Sequence, residues 1–118
     1  MAERELIAVM PMAEVEPGAL YARTIGELEV LVCRLDDGVH AVENRCTHGA
    51  SRLEAGRFRN GEVTCPLHGA RFSVRTGKAM CAPARVPIKV FEVVEEGGTL
   101  HIVKPAPPPP RQKFGPLG

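Results

Sequence analysis

Leu28-Glu-Val-Leu-Val-Cys-Arg-Leu35, Asp36-Asp37-Gly38, Val39-His-Ala-Val42: this stretch decides the fold class. It is an apolar, branched run, then an Asp-Gly step, then a second apolar run. Gly accepts positive φ at no steric cost, so such a step between two apolar runs marks a hairpin. The same grammar extends in both directions. Upstream, Leu6 to Met10 reads as a strand, Glu16-Pro17-Gly18 as a turn and Ala19 to Ile25 as β-compatible. Downstream, Asn60-Gly61 is a tight turn leading into Glu62 to Cys65, and Thr76-Gly77 is another. Val86 to Val94 reads as one long strand, with Pro87 near its start, where a missing N–H does least harm. Glu95-Glu96-Gly97-Gly98 turns it into Thr99 to Val103. Strands recurring about every 8–12 residues, with no i, i+3, i+4, i+7 stripe, predict an all-β fold built of antiparallel sheets.

The chain has 118 residues, enough for one domain and too few for two. Hydrophobic residues make up 44% and charged residues 25%, a globular composition that excludes disorder for the bulk of the chain. With no Trp, one Tyr and four Phe, base stacking on nucleic acid is not expected. No apolar run approaches the roughly 18 residues that span a bilayer, so no membrane association is expected. The start, Met1 to Met10, mixes charges and is cut short by Pro11, which does not read as a secretory signal. The expected compartment is therefore the reducing cytoplasm, where cysteines serve as metal ligands or core residues. Residues 105–118 differ in composition, and their proline run predicts a polyproline II tail.

Two short segments carry the chemistry: Cys46-Thr47-His48-Gly49 and Cys65-Pro66-Leu67-His68-Gly69. Each puts one thiolate and one imidazole on a single loop. If the loops face each other, two sulfurs lie on one side and two nitrogens on the other. That division suits a dinuclear centre with two different metal environments, as in a Rieske 2Fe–2S centre. The alternative is a single zinc ion. Zinc fingers, however, usually segregate a Cys pair from a His pair, and here each loop mixes the two. Gly49 and Gly69 would let the backbone turn close to a cofactor.

The pattern Cys–x–His, sixteen residues, Cys–x2–His resembles the Rieske family. Together with Glu16-Pro17-Gly18, Cys65 to Phe72, Thr76-Gly77, Pro83 and Val86 to Val94, it resembles the Rieske-type ferredoxins of bacterial ring-hydroxylating dioxygenase systems. The resemblance implies a single Rieske domain over residues 1–104: a base of antiparallel sheets with a small cluster-binding subdomain inserted at about 44–83. It implies Cys46 and Cys65 on the inner iron, His48 and His68 on the outer iron, and Pro83 on a shielding loop. It implies a monomeric one-electron carrier, not an enzyme. Such a carrier takes electrons from an NADH-dependent flavin ferredoxin reductase and gives them to a terminal oxygenase. The alternative role is a small Rieske subunit of a larger oxidoreductase, such as assimilatory NADH-nitrite reductase.

Departures from the family pattern carry information too. High-potential Rieske proteins have a further cysteine in each cluster loop. They also carry a hydroxyl after the second His-Gly and a Tyr two positions later. Here those last two positions are Ala70 and Phe72, so hydrogen bonds to cluster sulfur are lost and a low potential is expected. Cys33 reads as a small core residue, Cys81 as a packing residue, and His40 and His101 as surface or edge residues. From Asn44 to Lys89 there are nine basic residues and two acids, whereas the rest of the chain is net acidic. The expected result is a positive rim around the cluster loops.

Overall fold

The computed structural model describes residues 5–46, 52–66, 69–81 and 86–104. These form ten strands: β1 (Leu6–Pro11), β2 (Leu20–Ile25), β3 (Leu28–Leu35), β4 (Gly38–Glu43), β5 (Arg57–Arg59), β6 (Glu62–Thr64), β7 (Arg71–Ser73), β8 (Val90–Phe91), β9 (Val93–Glu96) and β10 (Thr99–Val103). All ladders between them are antiparallel. The sheets run β1-β10-β9, β2-β3-β4-β8 and β5-β6-β7.

β3 explains the arrangement. Successive strand side chains point to opposite faces. Val30 and Val32, with Ala41 of β4, pack against Met10, Val15, Phe91, Leu100 and Ile102. Leu31 and Cys33, with Val42, pack against Leu53, Val63, Phe72, Val74 and Ile88. The four-stranded sheet is thus a middle layer between two cores. That is why Leu28–Leu35 reads as a nearly continuous apolar run, the mark of a strand buried on both faces. Each fully buried Val or Leu contributes about 1.5–3 kcal/mol. Cys33 is a core residue, as its alternation with apolar neighbours suggests, and burial pushes its thiol up to about 12.

The expected long strand from Val86 to Val94 is corrected. Val90 and Phe91 pair with β4, and Val93 to Glu96 pair with β10, so the chain changes sheets at Glu92. Residues 86–89 are not strand. The Ile88 amide is spent on the Gly77 carbonyl, and the Lys89 carbonyl accepts from Glu43. Pro87 suits such an irregular lead-in better than a ladder. β5 and β7, absent from the sequence reading, are three residues long, too short for alternation to register. The Asn60–Gly61 turn falls as read: both residues are left-handed, at φ 54° and 75°, and join Arg59 to Glu62 in a two-residue hairpin.

Arg75, in the turn after β7, reaches across to the β3–β4 turn. Its Nε donates to Asp37 Oδ2 at 2.8 Å, and Asp37 also meets His40 at 2.9 Å. The Arg75 bond first, and the His40 bond second, hold the Asp37 carboxyl at about 2. A depressed carboxyl stabilises the fold above the ordinary Asp value, and that contribution is lost as pH falls through the folded one. The urea midpoints of wild type and Asp37→Asn should therefore differ at neutral pH and converge between about pH 4 and pH 2. A gap that widened on acidification would contradict this link.

Candidate metal centre

Cys46 follows β4 and Cys65 follows β6. Both are buried, 1% and 2% exposed, and both belong to the apolar cluster that holds Leu53, Ala70 and Phe72. Two strands from different sheets therefore deliver two thiols into one dry environment. His48, His68 and Pro83, with Gly49, lie outside the described residues, as does the 105–118 tail.

The first loop is clamped at both ends by one reciprocal pair. Asn44, 1% exposed, donates from Nδ2 to Glu54 Oε1 at 2.8 Å, and its Oδ1 accepts from the Glu54 amide at 3.0 Å. The Asn44 amide is anchored on the Glu29 carbonyl at 2.9 Å. Glu54 sits in a single 3-10 turn, Leu53–Ala55, whose Leu53 is fully buried in the core. The Asn44 bond, and then that from Arg52, hold the Glu54 carboxyl below its usual range. Sequence reading missed both residues, because an Asn and a Glu ten positions apart leave no periodic signal. Asn44→Ala removes a hydrogen bond to a carboxylate and one from a backbone amide, both on Glu54, and should cost about 1–3 kcal/mol. A lowered urea midpoint with faster loss of cluster absorbance would show it; unchanged cluster retention would show the clamp to be dispensable.

The second loop is closed by its own backbone. The Cys65 amide donates to the Ala70 carbonyl at 2.7 Å, and the Gly69 amide donates to the Cys65 carbonyl at 3.1 Å. Closing the loop this way puts Gly69 at φ 73°, where a Cβ is strained. Gly56 serves differently. A Cβ there would run into the Thr64 carbonyl, so the two loop supports touch backbone to backbone beside Cys65.

Ala70 and Phe72 are fully buried in the same cluster as the two cysteines. Neither carries a hydroxyl. Cys81 is corrected from packing residue to connector. Arg71 Nε donates to its Sγ at 3.4 Å, and its Sγ donates to the Gly69 carbonyl at 3.5 Å. The hydrogen bond from Arg71 holds the Cys81 thiol below its ordinary value.

The positive stretch is partly neutralised. Arg52 pairs with Glu29 and Glu54, Arg71 with Glu62, and Arg75 with Asp36 and Asp37. Arg45, Arg57, Arg59, Lys78 and Lys89 make no ion pair among the described residues.

Two thiols buried in one apolar cluster, each followed in the sequence by a histidine, are of the kind that suits a mixed Cys/His iron–sulfur centre. Residues 5–92 match the Rieske 2Fe–2S domain. The chain belongs to that family, and its cofactor is one Rieske 2Fe–2S cluster. It is 37% identical over 102 residues to the ferredoxin component of a naphthalene 1,2-dioxygenase system from Pseudomonas aeruginosa, covering 86% of this chain and 97% of that one. The ferredoxin of Sphingomonas yanoikuyae B1 superposes with a TM-score of 0.80 at 30% identity, over 86% of this chain and all of its own. A solved complex of reduced oxygenase and oxidized ferredoxin in carbazole 1,9a-dioxygenase holds a chain that is 31% identical. That chain matches with a TM-score of 0.77, over 83% of this chain and 92% of its own. A nitrite reductase small subunit from Mycobacterium tuberculosis shares the fold at a TM-score of 0.74, but at 23% identity, which speaks for the fold alone.

Proposed function

We propose that this chain is the ferredoxin component of an aromatic ring-hydroxylating dioxygenase system. It carries single electrons from an NADH-dependent flavin ferredoxin reductase to a terminal oxygenase, as a monomer in the cytoplasm. Cys46 and Cys65 hold the inner iron, and His48 and His68 the outer one. The cluster supplies reversible uptake of one electron. The protein's part is to hold two thiolates in a dry core, to fix both loops by their ends, and to leave the outer loop edge for a partner. The observation that carries this reading is the burial of Cys46 and Cys65 in one core cluster beneath clamped loops. The likeness to dioxygenase ferredoxin components over nearly their whole length supports the role.

Apolar side chains are exposed on both sides of residues 82–85: Met80 at 42% and Val86 at 60%. They suit a transient, dry contact around the electron's exit. The alternative, a small subunit of nitrite reductase, is less supported, since that likeness reaches the fold alone. Mixing the holoprotein with reductase, oxygenase, NADH and an aromatic substrate tests the role. Hydroxylated product should form in proportion to the ferredoxin added. Product formation unchanged when the ferredoxin is omitted, or stable co-purification with a nitrite reductase large subunit, would contradict it.

A further inference from the structure

The β5-β6-β7 sheet has a buried face and an open one. Phe58, Val63 and Phe72 stand opposite one another and face the core. The rows on either side of them therefore face outward. One row is Arg59, Glu62 and Ser73; the other is Arg57, Thr64 and Arg71. The second row is the last before Cys65 and Ala70, so it borders the loop that carries His68.

A cleft of about 360 Å³ opens beside this row, its described lining running from Ala55 to Arg57 and from Thr64 to Pro66, with Gly69. Among the described residues Arg57 is its one cation, and none of the described carboxylates lines it. Two other clefts differ in this respect. The one of about 550 Å³ sets Asp36 beside Arg34 and Arg75. The one of about 110 Å³ sets Glu27, Glu29 and Glu43 against Arg45 and Lys89. Even Glu62, the acid within the same sheet, is turned to Arg71 at 3.4 Å. Arg57 is exposed and has no ion pair among the described residues.

We propose that this cleft receives a carboxylate side chain of the terminal oxygenase, which pairs with Arg57. The inference rests on the carrier reading above. An electron leaving through the His68 loop requires the partner's surface to lie against that loop. The cleft touches the same loop at Cys65, Pro66 and Gly69, so docking covers it. A guanidinium stripped of water without a counter-charge opposes binding. The partner must therefore bring an Asp or Glu to this point, and the cleft provides depth and the Thr64 hydroxyl beside the guanidinium. A purely local role is the competing account, since β5 is an edge strand and charged side chains protect edges from further pairing.

The test is the affinity of cluster-loaded protein for its terminal oxygenase, measured by calorimetry at low and at physiological salt. Arg57→Gln is compared with Lys104→Gln, which removes the same charge beyond the end of β10 in the outer sheet. Arg57→Gln should weaken binding by about tenfold and flatten its salt dependence, whereas Lys104→Gln should change it less than about twofold. Arg57→Lys should recover most of the loss, and the midpoint potential should stay unchanged in all three. If Arg57→Gln bound like Lys104→Gln while wild type still reduced the oxygenase, Arg57 would be an edge guard and the cleft proposal would fall alone. If wild type neither bound nor reduced the oxygenase, the carrier reading and the cleft would fall together.

Discussion

His68→Ala, and equally His48→Ala, should yield protein without Rieske absorbance but with the base sheets intact. The reason is where the free energy lies. The core between the outer and middle sheets, built on Val30, Val32, Ala41, Leu100 and Ile102, contains no proposed ligand. The second core contains both Cys46 and Cys65. A metal site contributes its binding free energy to the segment that forms it, so losing a ligand should loosen the loops and the short β5-β6-β7 sheet. Near-native far-ultraviolet dichroism with no visible absorbance is the expected pair of readouts. Amide exchange should rise around Ala70 and Phe72 and stay slow in β3 and β10. Full Rieske absorbance in His68→Ala would overturn the ligand assignment.

The midpoint potential should lie near the low end of the Rieske range, about −150 mV, and should be flat from pH 6 to about 8. Hydrogen bonds to cluster sulfur stabilise the reduced, more negative state. By the family resemblance, Ala70 and Phe72 occupy the positions at which high-potential Rieske proteins carry hydroxyls, and both are buried in the same core cluster as the two cysteines. Ala70→Ser with Phe72→Tyr should raise the potential by on the order of 100 mV. The gain comes with a stability cost of about 1–3 kcal/mol if either new hydroxyl finds no acceptor. Protein-film voltammetry decides. A wild-type value above roughly +100 mV, or no rise in the double variant, would contradict this account of the tuning.

Much of this was legible in the sequence because the strongest signals are local. The Leu28–Leu35 strand has the bounds read from its apolar run, and the Asn60–Gly61 hairpin sits where its turn chemistry puts it. The cysteines announce themselves by their spacing to histidine. What was not legible depends on contacts distant along the chain. The break at Glu92 exists because β8 and β9 belong to different sheets, and no feature of Val86 to Val94 encodes which partner each half will find. The Asn44–Glu54 clasp and the Cys81–Gly69 contact likewise form only when loops are brought together. Charge was half legible. Counting found the basic stretch, but only the fold shows that Arg52, Arg71 and Arg75 are neutralised while Arg57 pairs with none of the described acids.

The central claim is that Cys46, His48, Cys65 and His68 hold one 2Fe–2S cluster with two unlike irons. Its most direct test is metal and sulfide analysis of the purified protein together with electron paramagnetic resonance of its reduced form. The account predicts about two irons and two acid-labile sulfides per chain, and the low average g value of mixed His/Cys ligation. Stoichiometric zinc without sulfide in protein from its native host, or the higher average g of an all-cysteine cluster, would contradict it.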